Sequence, residues 1–158
     1  MIDQAADKLR TLLTHMGIEA EVVAEEREDH ISLEVKGPET GLVIGKKGAT
    51  LDAVQYLLNK MLRVGGPAEK PIYVDAERYR ERRAESLTEL AHRLAARARK
   101  TLRPVTADPM SAADRRVIHM ALAGSPGLTT RSEGEGAQRR LVIIPDPDHD
   151  FGPGEGEA

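Results

Sequence analysis

Apolar residues at Ala5, Leu9, Leu12, Leu13 and Met16 recur every three to four positions and stop at Gly17, which predicts an amphipathic helix over 3–16. The period then shortens to two. Residues 19–24 and 30–35 alternate apolar and polar positions around a charged turn at Glu28-Asp29, the pattern of a hairpin. A short apolar turn, Leu42-Val43-Ile44, leads into Gly45-Lys46-Lys47-Gly48. Leu51, Val54, Leu57, Leu58, Met61 and Leu62 then place one apolar stripe on a helix that ends at Gly65-Gly66-Pro67. Pro71-Ile72-Tyr73-Val74 reads as a strand. The order helix, strand, strand, short helical turn, glycine loop, helix, strand predicts a three-stranded sheet packed on helices.

Asp75 is placed to cap a long helix from 76 to 101, with Leu87, Leu90 and Leu94 on one stripe and Ala91, Ala95 and Ala98 beside them. Residues 103–107 read as extended. Ser111, with Asp114 in the capping-box position, opens a helix over 112–123 that stops at Gly124. Strands follow at 128–131 and 139–144, separated by a turn over 132–136. The second half is thus another helix pair on a small sheet. The residues after it are rich in Pro, Gly and acids, a composition that predicts a disordered acidic tail over 147–158.

Composition changes this picture in two ways. With no cysteine, disulfides and thiolate chemistry are excluded, and with only four aromatic residues a sheet platform of several base-stacking rings is too. No apolar run reaches the length of a membrane span, and the N-terminus has no signal-peptide order, so a cytoplasmic protein is expected. The net charge of −3 hides a segregation: residues 1–35 hold three Lys or Arg against nine Asp or Glu, residues 36–144 twenty against twelve, and residues 145–158 none against five. The basic middle is where a polyanion would bind, and a solvated mixed-charge surface is the competing reading.

The glycine loop carries the most chemistry. Gly45 and Gly48 permit a sharp turn and a close approach by another backbone, Lys46 and Lys47 supply two cations, and the following helix aims its N-terminus at the same place. The spacing fits neither a P-loop nor the dinucleotide fingerprint. Ile-Gly-x-x-Gly entering a helix is the KH signature, a clamp on the backbone of a single strand, with bases expected in an apolar groove of Leu42, Val43, Ile44 and Leu51. On the later helix Arg115 and His119 lie four apart, on one face, where they can hold a phosphate or simply meet solvent. The five histidines (15, 30, 92, 119, 149) show no metal-ligand spacing, and no catalytic serine is apparent, so neither a metal nor a cofactor is expected. Three readings remain open: a binder of single-stranded RNA, an anion- or nucleotide-binding enzyme, and an adaptor using a sheet edge.

Gly45-Lys46-Lys47-Gly48 with Thr50-Leu51-Asp52-Ala53-Val54-Gln55-Tyr56-Leu57, then Tyr79-Arg80-Glu81-Arg82-Arg83, Arg115 to His119 and Thr130-Arg131-Ser132-Glu133-Gly134-Glu135, together resemble the bacterial Jag (KhpB) family over most of residues 20–145. The resemblance implies an α+β chain: a type II KH domain (αββααβ) over 1–75, then a small R-three-H domain over 76–146 named for its Arg-x-x-x-His motif. It implies a non-catalytic binder of single-stranded RNA, or single-stranded DNA, and an RNA chaperone linked to cell elongation, cell-wall synthesis and sporulation. It also implies a small KH-only partner protein. By the same resemblance Gly45, Lys46, Lys47 and Gly48 contact RNA backbone, and Arg115, His119 and Arg131 form a second nucleic-acid site. Many members begin with a separate small domain and a charged linker. Here the KH region starts almost at once, so that domain is expected to be lacking.

Overall fold

A computed structural model of the 158-residue chain describes residues 1–62 and 70–153. Helix α1 (Ile2–His15) buries Ala5, Ala6, Leu9 and Leu13. It ends as a Schellman turn: the N–H of Ile18 donates to the Leu13 carbonyl at 2.9 Å and that of Gly17 to Thr14 at 3.0 Å. Strands β1 (Glu21–Glu26) and β2 (Ile31–Lys36) form the hairpin, registered with Val22 opposite Val35 and Ala24 opposite Leu33. That register puts the apolar positions of both strands on the face that α1 covers. The chain then crosses over through α2 (Thr40–Ile44), a single 3-10 turn at Lys46–Gly48 and α3 (Ala49–Leu62). It returns as β3 (Ile72–Ala76), parallel to β2. Ile31, Leu33, Val35, Val43, Leu51, Val54, Leu58, Ile72 and Val74 form one core with α1.

The second unit begins inside α4 (Tyr79–Thr101), since the compact units divide after Glu81 and not at residue 75. Its sheet runs β4 (Val105–Thr106), β6 (Arg140–Pro145), β5 (Leu128–Glu133), all antiparallel, with α5 (Ala112–Leu122) joined to β5. The α4 seam is made of small residues. Leu87, Ala91, Ala95 and Ala98 are the buried positions, while Leu90 and Leu94 only flank them. Leu90 and Leu94 pack at the margins of this seam. Arg83 donates to Asp114 at 2.9 Å, and this nearly enclosed pair fastens α4 to the start of α5, where Ser111 Oγ accepts from the Asp114 N–H.

Three sequence expectations change. The long helix starts at Tyr79 because β3 runs on to Ala76 and Glu77 and Arg78 both adopt left-handed backbone (φ 53° and 56°). Asp75 still serves the helix from the strand, its Oδ1 accepting from the N–H of Arg80 at 3.3 Å. Strand β5 continues through Ser132 to Glu133, so the turn begins later and closes with a 3-10 turn at Gly136–Gln138. The tail is ordered through Pro153: the Asp146 N–H donates to the Gly127 carbonyl at 2.7 Å, and Phe151 packs against the core. A Cβ on Gly127 would lie 2.4 Å from the His149 ring, so the glycine leaves room for that ring. Composition described the segment correctly and hid two rings that have somewhere to go. The predicted helix stop at Gly65-Gly66-Pro67 and residues 154–158 lie outside the described residues.

Removing one partner of a nearly enclosed ion pair strands the other charge. Arg83→Ala is expected to cost the second unit about 2–3 kcal/mol, read as faster amide exchange throughout α5 with exchange in α1 and β2 unchanged.

Candidate nucleic-acid interface

The glycines of the loop face inward. Gly45 has φ 70° and Gly48 φ 79°, both left-handed, and Lys47 between them also has positive φ at 54°. A Cβ on Gly45 would stand 2.1 Å from Thr50 Oγ1, and one on Gly48 2.7 Å from the Tyr79 ring. The fold thus supplies a reason for glycine at both positions that the sequence did not offer. Thr50 and Tyr79 already occupy the space a side chain would need. Gly48 is itself buried, whereas Lys46 and Lys47 are exposed and have no ion-pair partner among the described residues. Pinning the glycines inward leaves the two ammonium groups at the tip, beside the N-terminus of the 14-residue α3.

Arg80 completes the support. Its Nε donates to the Val74 carbonyl at 3.0 Å, Nη1 to Asp52 at 2.8 Å and Nη2 to Gln55 at 3.2 Å. Arg78 pairs with Glu81. The two residues Tyr79 and Arg80 thus back the loop and hold the helix that follows it.

The apolar residues assigned to a base groove separate. Val43 and Leu51 are 0% exposed and belong to the core, so neither presents a surface to a ligand. Leu42 is 60% exposed and Ile44 half-buried. A run of apolar residues around a one-turn helix has to place some of them inside, and spacing alone did not say which. A different groove, missed in the sequence, opens between α3 and β3: a cleft of about 490 Å³ lined by Asp52, Gln55, Tyr56, Asn59, Lys60 and Tyr73, among others. Tyr56 (66% exposed) and Tyr73 (49%) present ring surface there, and Lys60 lies 5.4 Å from the Tyr56 ring centre. Two tyrosines 17 positions apart carry no periodic signal. A larger cleft, about 650 Å³, runs along α1 by Lys8, Leu12, His15 and Met61 and shares no residue with the loop.

In the second unit α5 presents Arg115 and His119 on a strip adjoining the one on which Ile118 and Leu122 are buried. Arg115 is half-buried and spends one N–H on the Met110 carbonyl at 2.7 Å, leaving its other donors. His119 is exposed, and its Nδ1 is hydrogen-bonded to Thr130 Oγ1 on β5, which leaves Nε2 outward. Arg131 does not join them. Strand residues alternate, so Arg131 points from the opposite face of β5 to Thr130, and there it pairs with Glu133. The structure brings Arg115 and His119 together with Thr130 as the orienting partner of His119, and sets Arg131 apart on the other face of β5.

A KH unit with an inward-pinned Gly-x-x-Gly loop, followed by an Arg-x-x-x-His helix docked on a three-stranded sheet, defines a tandem KH and R-three-H protein. Family models agree: the KH domain of KhpA/KhpB matches residues 3–70 and the R-three-H domain residues 85–145. The chain is 35% identical to the RNA-binding protein KhpB of Bacillus subtilis over 144 residues, covering 90% of this chain and 69% of that one. It is 35% identical to the protein of that name from Clostridium symbiosum, covering 89% and 64%. To that of Streptococcus pneumoniae serotype 2 it is 30% identical, covering 90% and 44%. The chain belongs to the KhpB family, and it spans between two fifths and about two thirds of the length of these relatives.

If Tyr79 is what Gly48 must avoid, two left-handed glycines of the first unit differ in cost. A Cβ on Gly17 (φ 74°) would meet nothing within 4 Å, so Gly17→Ala is expected to cost only the backbone penalty of about 1–2 kcal/mol. Gly48→Ala adds the ring clash and is expected to cost about 1–3 kcal/mol more, measured by urea denaturation.

Proposed function

We propose that the chain is a non-catalytic binder of single-stranded RNA. The observation that carries this reading is the pair Lys46 and Lys47, exposed, without carboxylate partners among the described residues, and held at the tip of a loop whose glycines are locked by Thr50 and Tyr79. Such a loop offers a fixed pair of cations to consecutive phosphates. The α3–β3 cleft, lined from the first turn of the same helix at Asp52 onward, offers two tyrosine faces and Lys60 to the bases. Arg115 and the outward Nε2 of His119 supply a second phosphate contact. The names of the KhpB relatives, each an RNA-binding protein, favour RNA as the polyanion. Single-stranded DNA offers the same phosphates and is the comparison ligand.

The finer part of the reading rests on family membership. It comprises a role as an RNA chaperone or post-transcriptional regulator linked to cell elongation and cell-wall synthesis, a cytoplasmic location, and a small KH-only partner. Among the described residues no helix is long and apolar enough to cross a membrane. The adaptor reading loses one of the two edges of this sheet, because the outward backbone groups of Ile72 and Val74 on edge strand β3 are taken by side chains of this chain. A partner strand has nothing to pair with at those two residues.

Fluorescence anisotropy with a labelled RNA dodecamer tests the proposal across a salt series. Lys46→Ala with Lys47→Ala is expected to flatten the dependence of log affinity on log salt by about 1.4, at about 0.7 per phosphate contact. Lys46→Asp with Lys47→Asp should abolish most binding while circular dichroism stays unchanged. Full affinity in that variant refutes the clamp. Arg115→Ala with His119→Ala should weaken binding independently, so that its effect adds to that of the alanine pair at 46 and 47. No effect in the otherwise intact chain makes α5 a structural element.

A further inference from the structure

An edge strand normally leaves a row of N–H and C=O groups without partners. Strand β3 has β2 on one side only, and it borders the cleft that α3 lines from Asp52 to Lys60. Its residues alternate, so Ile72 and Val74 turn their backbone groups outward, toward α3. Three side chains take all four of these groups. Asn59 Oδ1 accepts from the Ile72 N–H at 3.0 Å, and Asn59 Nδ2 donates to the Ile72 carbonyl at 2.6 Å. Gln55 Oε1 accepts from the Val74 N–H at 2.9 Å, and Arg80 Nε donates to the Val74 carbonyl at 3.0 Å.

The set is locked on its other side as well. Asn59 Nδ2 also donates to the Gln55 carbonyl at 2.9 Å, so only one orientation of its amide satisfies every partner. Arg80 donates to both Gln55 and Asp52, which ties the α3 side chains to one another. Opening any of these groups to a ligand means breaking a bond whose partner is itself bonded.

We infer that Asn59, Gln55 and Arg80 close the edge of β3 to nucleobases, so that the KH unit holds single-stranded RNA without reading its sequence there. A backbone N–H beside its own C=O is a donor–acceptor pair that a base edge can match in two hydrogen bonds. With both groups of Ile72 and Val74 occupied, that means of discrimination is gone. What the cleft still offers is ring surface at Tyr56 and Tyr73 and the cation of Lys60. Stacking and charge accept any base, because every base has a π face and every nucleotide a phosphate. The inference rests on the RNA-binding reading and gives it a specificity: selectivity among RNAs comes from outside this groove or from their being single-stranded.

The test is a nitrogen-15 NMR titration of the full chain with oligo(A), oligo(C) and oligo(U) dodecamers. The amides of Gly45, Lys46, Lys47 and Gly48 are expected to shift with all three, at affinities within about threefold, the spread left when stacking alone tells the bases apart. The backbone amides of Ile72 and Val74 and the side-chain NH2 of Asn59 should stay in place. Movement of Ile72, Val74 and the Asn59 NH2 with one oligomer and not the others overturns the inference while leaving RNA binding intact. Silence of the loop amides with every oligomer removes the binding reading, and this inference with it. Asn59→Ala bares both groups of Ile72, and Gln55→Ala bares the Val74 N–H should the first variant lose its fold. Either is expected to bring the freed amide into the shifting set and to spread the affinities by about fivefold, the low end for one bidentate base contact. An unchanged spread in a folded variant contradicts the role given to that side chain.

Discussion

The Tyr79 ring stands where a side chain on Gly48 would be, and the rest of the first unit's surface depends on that contact. A loop with two left-handed glycines and a left-handed lysine is intrinsically costly to hold, since each such residue gives up conformational freedom or carries a steric penalty. Thr50 against Gly45 and Tyr79 against Gly48 fix it from behind. Arg80, one residue on, holds Asp52, Gln55 and the Val74 carbonyl, so the helix that carries the loop's positive end is anchored to β3 by the same short segment. The lysines stay at the surface because the groups around them are committed to one another.

Rigid support of this kind suits a phosphate clamp. Cations on a mobile loop would lose entropy on binding, whereas a loop already packed against a ring loses little more. The side chains that stiffen α3 against β3 also use up the strand's outward groups, so in the proposed account the firmness of the clamp and the indifference of the groove to sequence have one origin. In the second unit the equivalent anchor is Arg83 with Asp114, which fixes the start of the helix bearing Arg115 and His119.

The order of elements was legible because both halves alternate cleanly between periods of two and of three to four, and because Gly17, Ser111 and Gly124 punctuate them. The loop was legible from four residues and their flanks. Its inward orientation was not, since Gly48 and Tyr79 meet across thirty-one positions of chain. The expected groove was drawn through two core residues for the same reason: Val43 and Leu51 look like their neighbours Leu42 and Ile44 in sequence, and only packing sends the first two inside. Tyr56 and Tyr73 come together from different elements. Arg131 stands apart for a local reason that strand alternation already contained, once Thr130 was known to meet His119. The start of α4 was obscured by Glu77 and Arg78, two residues whose types do not announce left-handed backbone.

Photocrosslinking of single-stranded RNA carrying 4-thiouridine to the intact chain, with the attached peptides mapped by mass spectrometry, tests the central claim most directly. Crosslinks are predicted in the segment around Lys46 and Lys47 and at Tyr56 or Tyr73, removed by salt and by unlabelled single strands. Crosslinks confined to the second unit, with the loop and the α3–β3 cleft untouched, would contradict it.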